Sequence, residues 1–172
     1  MIRAIARAAA HQFSRRYDYP VPHLERMIDL SPGTFLRYSA ASSLARITDH
    51  IPLDASHAAR ITAVRVAGCT ACLELSRSLA IEDGIHVTLV DEIAYGDASE
   101  VGDDASLATL FASSIMHRDK GLSAYREKVN ARWGPDGLLE LVLAVEFSRM
   151  HPEIKHALGI PDACTTQGGE PR

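Results

Sequence analysis

The stretch Val66-Ala67-Gly68-Cys69-Thr70-Ala71-Cys72-Leu73-Glu74-Leu75-Ser76 sets the reading of the whole chain. A C-x-x-C pair follows a glycine directly and opens an apparent amphipathic helix. Two thiols three residues apart at a helix start share a face and lie within reach of a disulfide. The first sits where unpaired N–H groups and the positive end of the helix dipole favour a thiolate. The thiolate is the attacking form, and C-x-x-C geometry lowers thiol pKa values for this kind of reason. Thiol–disulfide chemistry is therefore the first expectation for Cys69 and Cys72. The competing readings are a pair of buried core thiols and a zinc site. Zinc would need four ligands, and the only other cysteine is Cys164, in a polar tail.

Working outward, the residues before and after the pair read as helices. Ile2, Ile5, Ala9 and Phe13 recur at helical spacing, with arginines at 3, 7, 15 and 16. His23 to Leu30 makes a short helix after a proline break. Ser31-Pro32 is an N-cap and first-turn proline, opening a helix to about Ile47 with Phe35, Leu36 and Leu44 inward. Asp54 is the expected cap of a helix whose Ala58, Ile61 and Val64 face inward up to Gly68. After the thiol helix come a short helix over 87–94, an acidic connection over 98–104, and a helix over 105–120 with Leu107, Leu110, Phe111 and Ile115 inward. Ser123 to Trp133 follows, then a Gly134-Pro135-Asp136 turn. Leu138 to Met150 is apolar nearly all round, as befits a core or interface helix. Pro152 is expected to kink or end it, and Ile154 to Leu158 to add a turn. No alternating strand pattern occurs. The expected class is all-α.

The chain has 172 residues, 47% hydrophobic and 23% charged, with a net charge of −4. That size supports one domain with a sizeable core, and the charge argues against nucleic-acid binding. Three cysteines, two of them adjacent in function, fit a reducing compartment better than a secreted disulfide framework. No apolar run approaches the roughly 20 residues that span a membrane. A cytoplasmic protein is expected.

The stretches Ala63-Val64-Arg65-Val66-Ala67-Gly68-Cys69-Thr70-Ala71-Cys72, Leu138-Leu139-Glu140-Leu141-Val142-Leu143-Ala144-Val145 and Ala157-Leu158-Gly159-Ile160-Pro161 follow one another in an order that resembles the carboxymuconolactone decarboxylase and alkylhydroperoxidase-like (AhpD-like) group. The resemblance covers roughly residues 30 to 161. It implies a homo-oligomeric helical bundle over 31–161; the residues outside it read as a helical extension over 1–30 and a polar tail over 162–172 expected to be disordered. It also implies reduction of hydroperoxides or disulfides by the two cysteines, with a small-molecule or protein thiol as reductant and with no metal or organic cofactor.

In redox-active members a glutamate about twelve residues before the first cysteine and a histidine four after the second form a proton relay. This chain has His57 and Ser76 there. The expectation is an exchanged relay, His57 as the base and Ser76 as a hydroxyl that holds or passes a proton. The alternatives are a His57 turned to solvent and a Ser76 on the surface. Glu74 is a weaker candidate, two residues after Cys72 and so on another side of the helix. His151 and His156, five apart, make a poor metal pair, and His11, His23, His50, His86 and His117 read as ordinary polar positions. The rival functions are a non-catalytic helical oligomer with inert cysteines and a lactone-directed enzyme on the same fold.

Overall fold

The computed structural model describes residues 2–96 and 102–160. Among them are eight α-helices, one 3₁₀ turn and no strand: α1 (Ile2–Tyr17), α2 (Pro22–Leu30), α3 (Pro32–Ser42), the turn Ser43–Arg46, α4 (Leu53–Val66), α5 (Thr70–Glu82), α6 (Val87–Tyr95), α7 (Asp103–His117) and α8 (Leu122–Ala157). None of the described helices is long and apolar enough to cross a membrane. The tail with Cys164 and most of the acidic connection lie outside the described residues.

The core is built around α4, which packs against α5, α6, α7 and α8. Every residue from Ala55 to Val64 is buried. Only a helix made largely of alanine, serine, threonine and β-branched residues can be approached so closely on all sides. Phe111 of α7 and Val129, Leu141, Ala144 and Val145 of α8 close the core around it. A second, small cluster of Ala6, Ala10 and Ile28, flanked by Leu24 and Phe35, joins α1, α2 and α3.

Several expectations about faces and ends need correction. Ile2 and Ile5 are exposed, and α1 buries Ala6 and Ala10 instead. Leu36 and Leu44 are also exposed, and Leu110 is at the margin. The α4 cap is Pro52 rather than Asp54, whose carboxylate accepts from the neighbouring Ala55 N–H at 2.8 Å. Ser31 does cap α3, its Oγ accepting from Thr34 N–H. The turn at 134–136 is one non-helical residue, Gly134 at φ 73°, after which α8 resumes at once. Proline at the next position has no N–H to lose there. Pro152 does not end the helix. Buried within α8, it removes one backbone donor and leaves the axis running on to Ala157, so the segment expected as a separate turn is the last part of α8.

Candidate active site around Cys69 and Cys72

Gly68 makes the site possible. Its φ of 71° lies in the left-handed region that glycine enters without a Cβ penalty. Gly68 N–H bonds to the Arg65 carbonyl and Cys69 N–H to the Val64 carbonyl, closing α4 with a Schellman pattern. The chain leaves that turn with Cys69 already in place as N-cap of α5. Its sulfur accepts from the Cys72 backbone N–H at 3.3 Å. Cys69 and Cys72 stand at disulfide-bonding distance, with Cα atoms 5.2 Å apart, within the usual range for such a bond. Both are buried, as the core reading of the pair required, but they are not surrounded by hydrocarbon.

Lys155, fully buried near the end of α8, directs its Nζ at the pair, 3.4 Å from Cys72 Sγ and 3.9 Å from Cys69 Sγ. The same ammonium lies over the Tyr19 ring, 4.3 Å from its centroid, and Tyr19 Oη is 3.7 Å from Cys72 Sγ. A cation and a hydroxyl therefore converge on Cys72 from two elements remote in sequence. Electrostatically this favours a thiolate there more than at Cys69, where the helix start is the nearer influence.

Cys72 borders a cavity of about 340 Å³; Cys69 does not. The cavity lies between the N-terminal helices and the core, with Phe13 of α1, Tyr19 and His23 before and on α2, Tyr38 of α3, Arg60 of α4 and His151 of α8 among its walls. Ser76 lies on its wall one turn beyond Cys72, as the two positions' spacing of four on α5 requires. His151 Nδ1 bonds with Tyr38 Oη. Burial pushes the Tyr38 phenol well above its ordinary value. Burial, then the Lys155 charge, hold His151 down to about 4, and the same two causes hold His23 down to about 3. Both imidazoles are neutral at ordinary pH.

His57 is brought to a different place. It is fully buried, so it does not face solvent, and both ring nitrogens are engaged. Nε2 bonds with Asp83 Oδ2 at 3.0 Å, and Nδ1 lies 3.4 Å from an Arg60 Nη. With the proton on Nε2, Nδ1 is the acceptor for the guanidinium. Burial, then Arg60, lower its pKa to about 4 against the pull of Asp83. The structure thus places Ser76 on the same cavity wall as Cys72 and sets His57 against Arg60 and Asp83. Glu74 turns away, bonding Arg77 and Tyr95 on the outer side of α5.

Lys155, Tyr19, His23, Tyr38, His151, Arg46 and Arg60 are among the polar groups at the site that sequence reading missed. Lys155 had a usable signal. The buried positions Leu141, Ala144, Val145, Ser148, Pro152 and Lys155 continue one helical stripe, and carrying the stripe through Pro152 puts the lysine inside. Tyr19 had none, lying in a loop after α1. Among the described residues, no group of three or more histidine, cysteine or acidic side chains is arranged to hold a metal ion. No family model, curated relative or solved structure matches the chain.

Proposed function

We propose that this chain is a thiol-dependent oxidoreductase that reduces a hydroperoxide or a disulfide through a Cys69/Cys72 dithiol–disulfide cycle, Cys72 meeting the substrate. The observation that carries the reading is the Lys155 ammonium 3.4 Å from Cys72 Sγ at the wall of a cavity. A buried amine is favoured beside an anionic partner, and a Cys72 thiolate at that distance would supply one in addition to the Tyr19 ring face. The AhpD-like resemblance points to the same chemistry. In place of that group's glutamate–histidine relay, a lysine from the last helix would serve the thiols.

In the reduced protein the Cys72 thiolate attacks the outer oxygen of the hydroperoxide. An S–O bond forms, the O–O bond breaks, and the alkoxide leaves as an alcohol on taking a proton from Lys155. The Cys69 thiol then attacks the Cys72 sulfenic acid. The S–S bond forms, and the hydroxyl departs as water with the Cys69 proton. The dithiol has lost two electrons and the peroxide has gained them. Two thiol equivalents from a small-molecule or protein donor restore the pair by exchange. Lys155 recovers its proton when the regenerated Cys72 thiol ionises. A substrate disulfide would be opened by the same thiolate through a mixed disulfide.

The test is consumption of cumene hydroperoxide with dithiothreitol as donor. Turnover should vanish in Cys72→Ser. Cys69→Ser, reduced and then freed of dithiothreitol, should consume one peroxide and stop, with a dimedone-trappable sulfenic acid on Cys72. Consumption that is absent in the native protein, or unchanged in Cys72→Ser, would contradict the reading.

A further inference from the structure

We propose that the cavity selects a substrate with a single carboxylate at one end of an apolar chain, the acid group held by Arg46 and Arg60 and the reducible group against Cys72. This rests on the oxidoreductase reading for the reacting end and on independent observations for the acid end.

Helix α5 gives the cavity its length. Cys72, Leu75, Ser76 and Leu79 all border it, a spacing of three, four and seven that defines one helical face. From Cys72 to Leu79 the axis advances roughly 10 Å. Tyr19 and Lys155 stand at the Cys72 end. At the other end Arg46 reaches toward Asp83, the C-cap of α5, at 3.9 Å. Arg46 and Leu79, with Phe13 and Ala9, also border a second, more open depression, so this end is the mouth. Between the ends the walls are mainly apolar, with Leu24, Phe35 and Leu75, interrupted by Ser76, Tyr38 and His151.

The charges at the mouth do not balance. Arg60 is only 7% exposed, and the hydrogen bond it makes among the described residues goes to neutral His57 Nδ1, not to a carboxylate. Burial lowers its pKa to about 10, which still leaves it charged. Asp83 answers for His57 directly and for Arg46 at a distance. The neighbouring Glu82 is taken by Arg16 and by the Tyr17 hydroxyl. Two guanidiniums therefore face one carboxylate at the cavity's end. Buried charges are ordinarily paired, and a fork of planar donors suits a carboxylate. In this arrangement His57 is a positioning residue: the Asp83–His57 link fixes the nitrogen against which Arg60 is held. The cavity wall also includes His23, whose buried Nδ1 has no hydrogen-bond partner among the described residues.

The test needs no turnover. Octanoate and 1-octanol, equal in chain and unlike in head group, are titrated calorimetrically into the oxidised full-length protein. Octanoate should bind at least tenfold more tightly than octanol. Arg46→Gln, at a half-exposed position that folding tolerates, should lower that ratio several-fold, and Arg60→Gln should bring it near one. Equal affinity for acid and alcohol, no binding of octanoate, or a ratio unchanged in Arg46→Gln would overturn the proposal. Because neither probe can be reduced, a dead dithiol would leave this result standing and defeat only the oxidoreductase reading.

Discussion

Helices α3 and α4 are both short and rich in alanine and serine, yet α4 buries every residue from Ala55 to Val64 and α3 buries none. The difference follows from what surrounds them. Four helices close on α4, and small side chains let their backbones approach. Helix α3 covers the cavity with Phe35 and Tyr38 and leaves Leu36 to solvent. Stability is concentrated in the α4 core. The N-terminal layer is lightly packed and supplies most of the wall that a ligand would touch, which suits a region that must let a molecule reach Cys72.

The largest expected contrast is between one core and one lid substitution. Phe111→Ala should cost about 3–5 kcal/mol, and Leu36→Ala no more than about 0.5 kcal/mol, read from urea unfolding. A Leu36→Ala cost near that of Phe111→Ala would break the comparison. Acid should come next. The pKa values of His23, His57 and His151 are depressed to about 3, 4 and 4 by burial, against 6.5 in the unfolded chain. The unfolded state therefore binds more protons below pH 6.5. Stability should be full above that point and fall as pH drops from 6.5 toward 4. A flat profile across that window would mean these imidazoles are not held neutral.

Gly68→Ala forces a Cβ into a left-handed residue and should cost about 1–2 kcal/mol. It should also slow disulfide formation, since the turn delivers Cys69 to its cap. A variant that loses stability with no change in the oxidation rate would separate the fold from the site. Ser31→Ala removes the α3 cap for about 1 kcal/mol. Thermal unfolding should register a small loss, and octanoate affinity should fall with it, because Phe35 and Tyr38 of α3 line the cavity.

Helix order and most helix bodies were legible because periodicity and the Ser31-Pro32 and Gly68-Cys69 signals are local. The buried face of α1 was not. Ile2 and Ile5 are the more hydrophobic residues, but Ala6 and Ala10 fit where helices approach closely. At the site, the cysteine pair stands out from its spacing, and Ser76 from the position that the AhpD-like resemblance assigns to a relay residue. Lys155 reaches the thiols from more than eighty residues away, and Tyr19 comes from a loop. Contacts of that range depend on tertiary packing, which a local pattern does not encode. His57 was visible only as the residue at the relay position twelve before Cys69, and Asp83 and Arg60 engage both its nitrogens.

The most direct measurement is the alkylation rate of Cys69 and Cys72 against pH, read by mass spectrometry in reduced protein carrying Cys164→Ser, alone and with Lys155→Met. The account predicts that Cys72 labels first, with a midpoint well below the free-thiol value of about 8.5, and that Lys155→Met moves the midpoint up. Slow labelling of both thiols that accelerates only on unfolding would contradict it and leave the cysteines as packing residues.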